Sequence, residues 1–521
     1  MGKQDNQKSV KHKPVSRREA IQAIGAVAVS ALAAGFVAAP LAAAQGGKME
    51  QAPELCFKSA TELVRRTRQR ELSAKEVVSA HLEQIARVNP KVNAICTLLP
   101  EQALEAAEKL DRAPHKGSAP GALHGLPIAI KDLVLTKGIR TTFGSRIYKD
   151  FVPDQDALIV ERLKAAGAII IGKANTPEFG AGSQTFNEVF GETHNPYDLA
   201  KTCGGSSGGG AVSLACGMMP IADGSDMGGS LRNPPNFCNV VGLRPSPGRV
   251  PEWPSELPWD ALSVSGPMAR TVEDVALLMS VMAGPDPRSP ISIEESPAQF
   301  LRPLERNFKG VKVAWSRDLG RLPVEPAVVT ACEGALNTFR KLGCVVEEDH
   351  PDFSGSDEAF QALRAWVFAA GLTEELSEKR DLVKDTVIWN TEQGLRLSGQ
   401  DVSNAEKKRG IIYDRVRRFL ERYEFLILPV SQVAPFPIEV RWVREINGVP
   451  MQTYIDWMAS CYYITLTGLP AISVPCGFTR SGLPVGIQIV GRNHADFEVL
   501  QLAHAFENAT GVGKRRPLIA A

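Results

Sequence analysis

Residues 202–251 read TCGGSSGGGAVSLACGMMPIADGSDMGGSLRNPPNFCNVVGLRPSPGRVP, and the rest of the chain is best read outward from them. Two glycine-rich turns stand out. The first, Gly204–Gly210, encloses Ser206 and Ser207 and leads into an apolar run, Ala211–Ala215, with the character of a buried helix. The second, Asp226-Met227-Gly228-Gly229-Ser230, begins 20 residues after Ser206. Glycine lets the backbone take positive φ and approach a ligand closely. Successive N–H groups in such a turn can converge on an anion. Three readings fit: tight turns packed on a helix, a phosphate cradle, or an oxyanion hole beside a nucleophilic serine. A phosphate loop of the GxxxxGK[ST] type would need a lysine after the glycines, and none follows here.

On either side, short apolar runs alternate with helical ones. Leu126–Ile130 and Ala168–Ile171 read as buried strands with a helix, Leu158–Ala166, between them. Leu426–Leu428 and Ile472–Val474, each followed by proline, read the same way. Ser59–Glu62 and Ser73–Glu76 have the spacing of capping boxes. The second opens a run with Val77, Val78, Leu82, Ile85 and Val88 on one stripe, which Pro90 is expected to stop. Glu101–Arg112 makes a third helix. The alternation predicts an α/β fold, a central mixed β-sheet covered by helices on both faces. One large domain is expected over residues 45–521, with 202–251 at its centre. The charged stretch Glu375–Glu421 predicts exposed helices, and about 375–460 is expected to form a variable cap over the substrate.

Composition narrows the function classes. The chain has 521 residues, 44 % hydrophobic and 22 % charged, with a net charge of +1. Residues 45–521 hold 53 basic and 56 acidic side chains, a nearly neutral body that argues against nucleic acid as a partner. None of the nine cysteines forms a CxxC pair and none of the eight histidines an HExxH motif. This rules out a zinc ribbon and a thioredoxin-type centre, and no metal or cofactor is expected. An odd number of cysteines leaves at least one thiol unpaired within the chain.

Residues 20–47 carry no charged side chain. A basic stretch with Lys8, Lys11 and Lys13 precedes them, ending in Ser16-Arg17-Arg18, and Ala42-Ala43-Ala44 offers small residues for cleavage before Gln45. This is the layout of an export signal of the twin-arginine type over residues 1–44. It predicts an exported, periplasmic protein with no stable membrane insertion after cleavage. A retained anchor is the alternative, since 28 uncharged residues are long enough to span a bilayer.

The two turns together resemble the amidase signature family. The resemblance extends in order to Gly125–Asp132, Phe190–Asp198, Gly266–Asp274 and Gly468–Arg492, and so covers most of residues 55–510. It implies an amidase that cleaves a linear carbon–nitrogen amide bond of a small molecule through a Ser–Ser–Lys triad and an acyl-enzyme. Ser230 matches the nucleophile, Ser206 a bridging serine held by a cis peptide bond, and Lys131 the base. Met227, Gly228 and Gly229 match the oxyanion hole, with the Ser230 N–H a further donor. Ser207, Asp226 and Arg232 match supporting positions. The chemistry asks the same of Lys131: it can take a proton only when neutral, and burial at the end of the apolar strand LPIAIKD favours that form.

Four positions depart from the family pattern. Cys203 stands where proline is usual, Gly210 where serine is commoner and Met227 where threonine or isoleucine is. Thr465 replaces an asparagine, which puts one supporting hydrogen bond in doubt. The motifs also closely resemble the A-type subunit of a tRNA-dependent amidotransferase, a cytoplasmic enzyme that works with partner subunits and ATP. That reading, and a non-catalytic binding protein on the same fold, are the competing functions. Trp253, Trp259, Trp366, Trp389, Trp442 and Trp457 are divided between packing the core and lining an acyl pocket, and oligomeric state is not legible.

Overall fold

The computed structural model describes residues 52–113 and 120–520, so the export signal and its cleavage point lie outside the described residues. After a short helix, Ala52–Leu55, two longer helices begin where a serine can cap each. Ser59 accepts a hydrogen bond from the Glu62 N–H at 3.1 Å ahead of α1 (Ala60–Arg68). Ser73 and Glu76 bond each other's backbone N–H ahead of α2 (Ala74–Val92), a full capping box. Helix α2 runs two residues beyond Pro90 rather than stopping there. Pro90 falls in the final turn, where one intrahelical donor is lost before Asn93, in the left-handed conformation, closes the helix.

Strand β1 (Ile95–Leu98), helix α3 (Pro100–Arg112), β2 (Pro127–Lys131), α4 (Leu158–Ala165) and β3 (Ile169–Ala174) follow. β3 pairs antiparallel with β1 and parallel with β2, making a three-stranded sheet whose central strand carries β2 beside it. Lys131 is the last residue of β2.

The main sheet is built from residue 221 onward. Helix α5 (Gly208–Ala215) leads into β4 (Ile221–Asp226), α6 (Asn233–Cys238), β5 (Val241–Arg244), β6 (Val264–Ala269) and α7 (Val272–Met282). Next come β7 (Lys312–Trp315), α8 (Pro326–Lys341), β8 (Val345–Glu348), α9 (Ser356–Lys379), α10 (Asp385–Leu395), α11 (Gly399–Arg422) and β9 (Phe425–Pro429). The chain ends with α12 (Ala459–Thr467), β10 (Ala471–Phe478), β11 (Pro484–Val490) and α13 (Asp496–Thr510). Eight strands run in the order β8-β7-β9-β11-β10-β5-β6-β4. β7 is parallel to both β8 and β9, and the remaining pairs are antiparallel, so the sheet is mixed.

Alternate residues of the central strands enter two separate cores. Phe425 and Ile427 of β9 pack in one core with Leu278 of α7, Phe339 of α8 and Phe506 of α13. Leu426 and Leu428 pack in the other with Phe360 of α9, Val416 of α11 and Ile464 of α12. The period of two in a strand sends successive side chains to opposite faces, which is why both faces are covered by helices. The charged stretch Glu375–Glu421 is helical, and the helix that leads into it, α9, begins at Ser356. The second glycine turn leaves the end of β4, beside the end of β2.

Candidate active site

Lys131 is the centre of the site. It is 1 % exposed, and its Nζ lies 2.8 Å from Ser206 Oγ, 2.9 Å from Ser207 Oγ and 2.9 Å from Ser225 Oγ. Burial pushes its pKa down from 10.5 to about 7, against the opposing pull of Asp223 and Asp226. A neutral amine has two N–H bonds and one lone pair. Ser207 donates its hydroxyl to the Ser225 carbonyl at 3.3 Å and so can only accept from Nζ. With the second N–H given to Ser225, the lone pair is left for the hydroxyl of Ser206.

Strand geometry explains how Lys131 is held. Asp223 and Ser225 are two residues apart on β4 and share a face. Asp223 Oδ1 accepts from the Lys131 backbone N–H at 3.0 Å, while Ser225 meets its amine. Burial raises the Asp223 carboxyl, against the pull of Lys173 and Lys131, which lower it. Neither Ser225 nor Asp223 stands among the positions expected from the sequence. A signal was present: polar residues at alternate positions of an otherwise apolar strand that ends in Asp226.

The first glycine turn carries Ser206 to the amine. Gly204 has φ +76°, and the Gly205–Ser206 peptide bond is cis, as the family resemblance implied. A Cβ on Gly205 would stand 2.8 Å from the Gln184 backbone. The second turn is clamped by Asp226, whose carboxylate accepts from the N–H of Gly229 at 2.8 Å and of Leu231 at 3.0 Å. Burial alone would raise the Asp226 carboxyl, but Arg232 and Arg244 outweigh it and hold it at about 2. Arg232 is fully buried and binds both Asp226 oxygens, through Nε at 3.0 Å and Nη2 at 2.9 Å. Its other three donors go to the Cys461 carbonyl, Gln488 Oε1 and Thr465 Oγ1. Thr465 therefore supplies the acceptor that the departure from asparagine had put in doubt.

One cavity joins these parts. Ser206, Ser225 and Ser230 open onto it, together with Met227 and Gly228. Among the described residues the N–H groups of Met227, Gly228 and Ser230 donate to no protein acceptor. Gly229 differs from its expected place in the oxyanion hole. Its N–H donates to Asp226 at 2.8 Å, its φ is +130°, and a Cβ there would stand 2.7 Å from that of Cys461.

The opposite wall is aromatic, but no tryptophan contributes to it. Phe179, Phe360, Phe368 and Tyr454 line the cavity. Trp457 is fully buried behind Tyr454, stacked on Phe237, with its Nε1–H donating to Ser183 Oγ at 3.1 Å. Trp259 is 74 % exposed. All nine cysteines are free thiols, and among the described residues no helix is long and apolar enough to cross a membrane.

A buried amine bonded to three serine hydroxyls, in a cavity with a further serine and unpaired N–H groups, is equipped to hydrolyse an acyl bond. Comparison with known proteins gives the class. The amidase family model matches residues 76–500. The acylamidase of Rhodococcus erythropolis is 36 % identical over 465 residues, covering 88 % of this chain and 97 % of its own. The A-type subunit of the Geobacillus stearothermophilus glutamyl-tRNA(Gln) amidotransferase is 37 % identical over 486 residues, covering 88 % and 99 %. The solved structure of a bacterial aryl acylamidase of the amidase signature family superposes with a TM-score of 0.83 at 28 % identity, covering 89 % and 99 %. The chain belongs to the amidase family and is an amidase, a hydrolase of carbon–nitrogen bonds.

Proposed function

We propose that this protein is an exported acyl-amide hydrolase in which Ser230 is the nucleophile, Ser206 the proton relay and Lys131 the base. The observation that carries the proposal is the buried Lys131 amine, 2.8 Å from Ser206 Oγ and 2.9 Å from Ser207 and Ser225 Oγ; with its two N–H bonds given to Ser207 and Ser225, its lone pair serves Ser206. Ser230 Oγ attacks the amide carbonyl, its proton passes to Ser206 Oγ, and the Ser206 proton passes to Lys131 Nζ. The oxyanion accepts hydrogen bonds from the N–H groups of Met227, Gly228 and Ser230. The C–N bond then breaks, and the proton returns through Ser206 to the leaving nitrogen. Water attacks the acyl-enzyme by the same relay and releases a carboxylate. Asp226, Arg232 and Ser207 act as positioning residues that hold the turn and the amine.

The hydrolase reading is favoured over an amidotransferase component by the export signal read over residues 1–44. Purified alone, with neither ATP nor a partner, the protein is expected to release amine or ammonia from simple amides. Ser230→Ala is expected to abolish that release, and mass spectrometry of the quenched wild type to find the acyl adduct on Ser230. An adduct elsewhere, or undiminished turnover in Ser230→Ala, overturns the assignment. Export is tested by sequencing the N-terminus of periplasmic protein. Gln45 is expected there, and Arg17→Lys with Arg18→Lys is expected to keep the protein inside.

A further inference from the structure

The aromatic wall carries a positive charge that amide hydrolysis does not require. Phe360, Arg364 and Phe368 lie four residues apart on α9, forming one stripe along the cavity. The stripe starts at the reacting centre, since the Phe360 ring comes within 3.3 Å of where a Cβ on Gly228 would stand. Arg364 follows one turn along, a rise of about 6 Å. It is 6 % exposed, and its guanidinium lies 4.6 Å from the ring centre of Phe368 and 5.2 Å from that of Tyr454. Its polar partners are neutral: Asn390 Oδ1 and the Tyr454 hydroxyl.

Arg364 differs from the other arginines that are buried among the described residues. Arg232 and Arg244 face Asp226, and Arg249 faces Asp496. Among the described residues no Asp or Glu comes within ion-pair distance of Arg364. Glu178, the acid in that quarter, accepts instead from the Ser145 hydroxyl at 2.6 Å and the Lys384 backbone N–H at 2.7 Å. A guanidinium has five N–H donors, and Asn390 and Tyr454 take two. A buried charge is costly unless it is paired, and a planar fork with donors to spare in a substrate cavity fits a carboxylate.

We propose that Arg364 pairs with a carboxylate on the substrate, so that this amidase acts on amides bearing a free carboxylate beyond the scissile bond, in preference to neutral ones. The inference rests on the hydrolytic reading of Ser230 given above. Two chemistries share the feature: half-amides of dicarboxylic acids, with the carboxylate on the acyl side, and N-acyl amino acids, with it on the amine side.

The test uses matched pairs and the purified protein. Succinic, glutaric and adipic acid monoanilides are compared with anilides of the corresponding monocarboxylic acids, and N-acyl amino acids with N-acyl alkylamines. Wild type is expected to prefer one carboxylated series, and which series tells where the group sits. Arg364→Gln is expected to raise KM for that series by roughly 10- to 100-fold while leaving kcat, and both constants for the neutral partners, within about threefold. Arg364→Lys, which keeps the charge without the fork, is expected to recover part of the loss. Equal damage to charged and neutral substrates in both variants would mark Arg364 as a packing residue and overturn the inference. So would a wild-type preference for the neutral member of each pair. Failure of wild type to turn over any amide, matching Ser230→Ala, would remove the hydrolytic reading and this inference with it.

Discussion

Titrating the enzyme between about pH 5.5 and 9 should raise kcat/KM along a single ionisation near pH 7 and then level it. Burial moves Lys131 from 10.5 to about 7. At pH 7 about half the molecules then hold the free amine, against about 1 in 2,500 for a lysine at its ordinary value of about 10.4. Burial thus enriches the competent form about a thousandfold, equivalent to about 5 kcal/mol of bias against the ammonium. Below the ionisation the rate should fall about tenfold per pH unit. The same shift acts on stability with a definite sign. The unfolded lysine keeps its proton to about pH 10.4 and the folded one loses it near 7, so the unfolded state binds more protons between those values. Stability contributed by Lys131 therefore rises with pH across that window and is lowest below it. Initial rates of amine release at low substrate concentration read the kinetic side, and near-UV circular dichroism at each pH confirms an intact fold. A rate that stays flat or falls from pH 6 to 9 in folded protein would refute a lysine base held neutral by burial.

Ser225→Ala removes one acceptor from Lys131. An ammonium loses more than a neutral amine does, so the ionisation in the rate profile should move below that of wild type, with kcat reduced. An unchanged or raised value would count against the three-hydroxyl arrangement. Asp226→Asn leaves Arg232 and Arg244 buried without their carboxylate, and urea unfolding should show a loss of about 3–5 kcal/mol; a loss below about 1 kcal/mol would contradict the network. Gly229→Ala places a Cβ 2.7 Å from that of Cys461 at a φ of +130°. It should lower kcat by about 10²-fold or more through displacement of the oxyanion donors, with folded protein recovered; near-normal kcat would mean that the turn tolerates the shift.

Much of the architecture is legible in local sequence. Apolar runs of strand length, each bounded by proline or glycine, mark Pro127–Lys131 and Phe425–Pro429 to within a residue and Ile169–Ala174 to within three. The serine caps at Ser59 and Ser73 mark where α1 and α2 begin. These signals survive because they are written in adjacent residues and act over one or two turns of chain. Pro90 misled because a proline's effect depends on whether it falls within a helix or in its last turn, and that depends on what the following residues pack against. The resemblance carried by GGSSGG, DMGGS and GLPIAIKD named Ser206, Ser230 and Lys131; Ser206 lies 2.8 Å from the amine and lines one cavity with Ser230.

What the sequence alone determined about this protein is its list of parts: the strands and helices, the two glycine turns, and the family that supplies an amidase. Tertiary structure alone decided how those parts are shared out. It gave the Gly229 N–H to Asp226, placed Ser225 on Lys131, lined the cavity with phenylalanine and tyrosine while Trp457 went to the core, and left Arg364 facing the cavity without an acid. The physical reason is one of range. Helices, strands and turns answer to periodicity and φ preferences within a few residues. A side chain's partner and its dielectric surroundings are set by segments scores to hundreds of residues away, as Lys131 is set by Ser206 and Arg232 by Gln488.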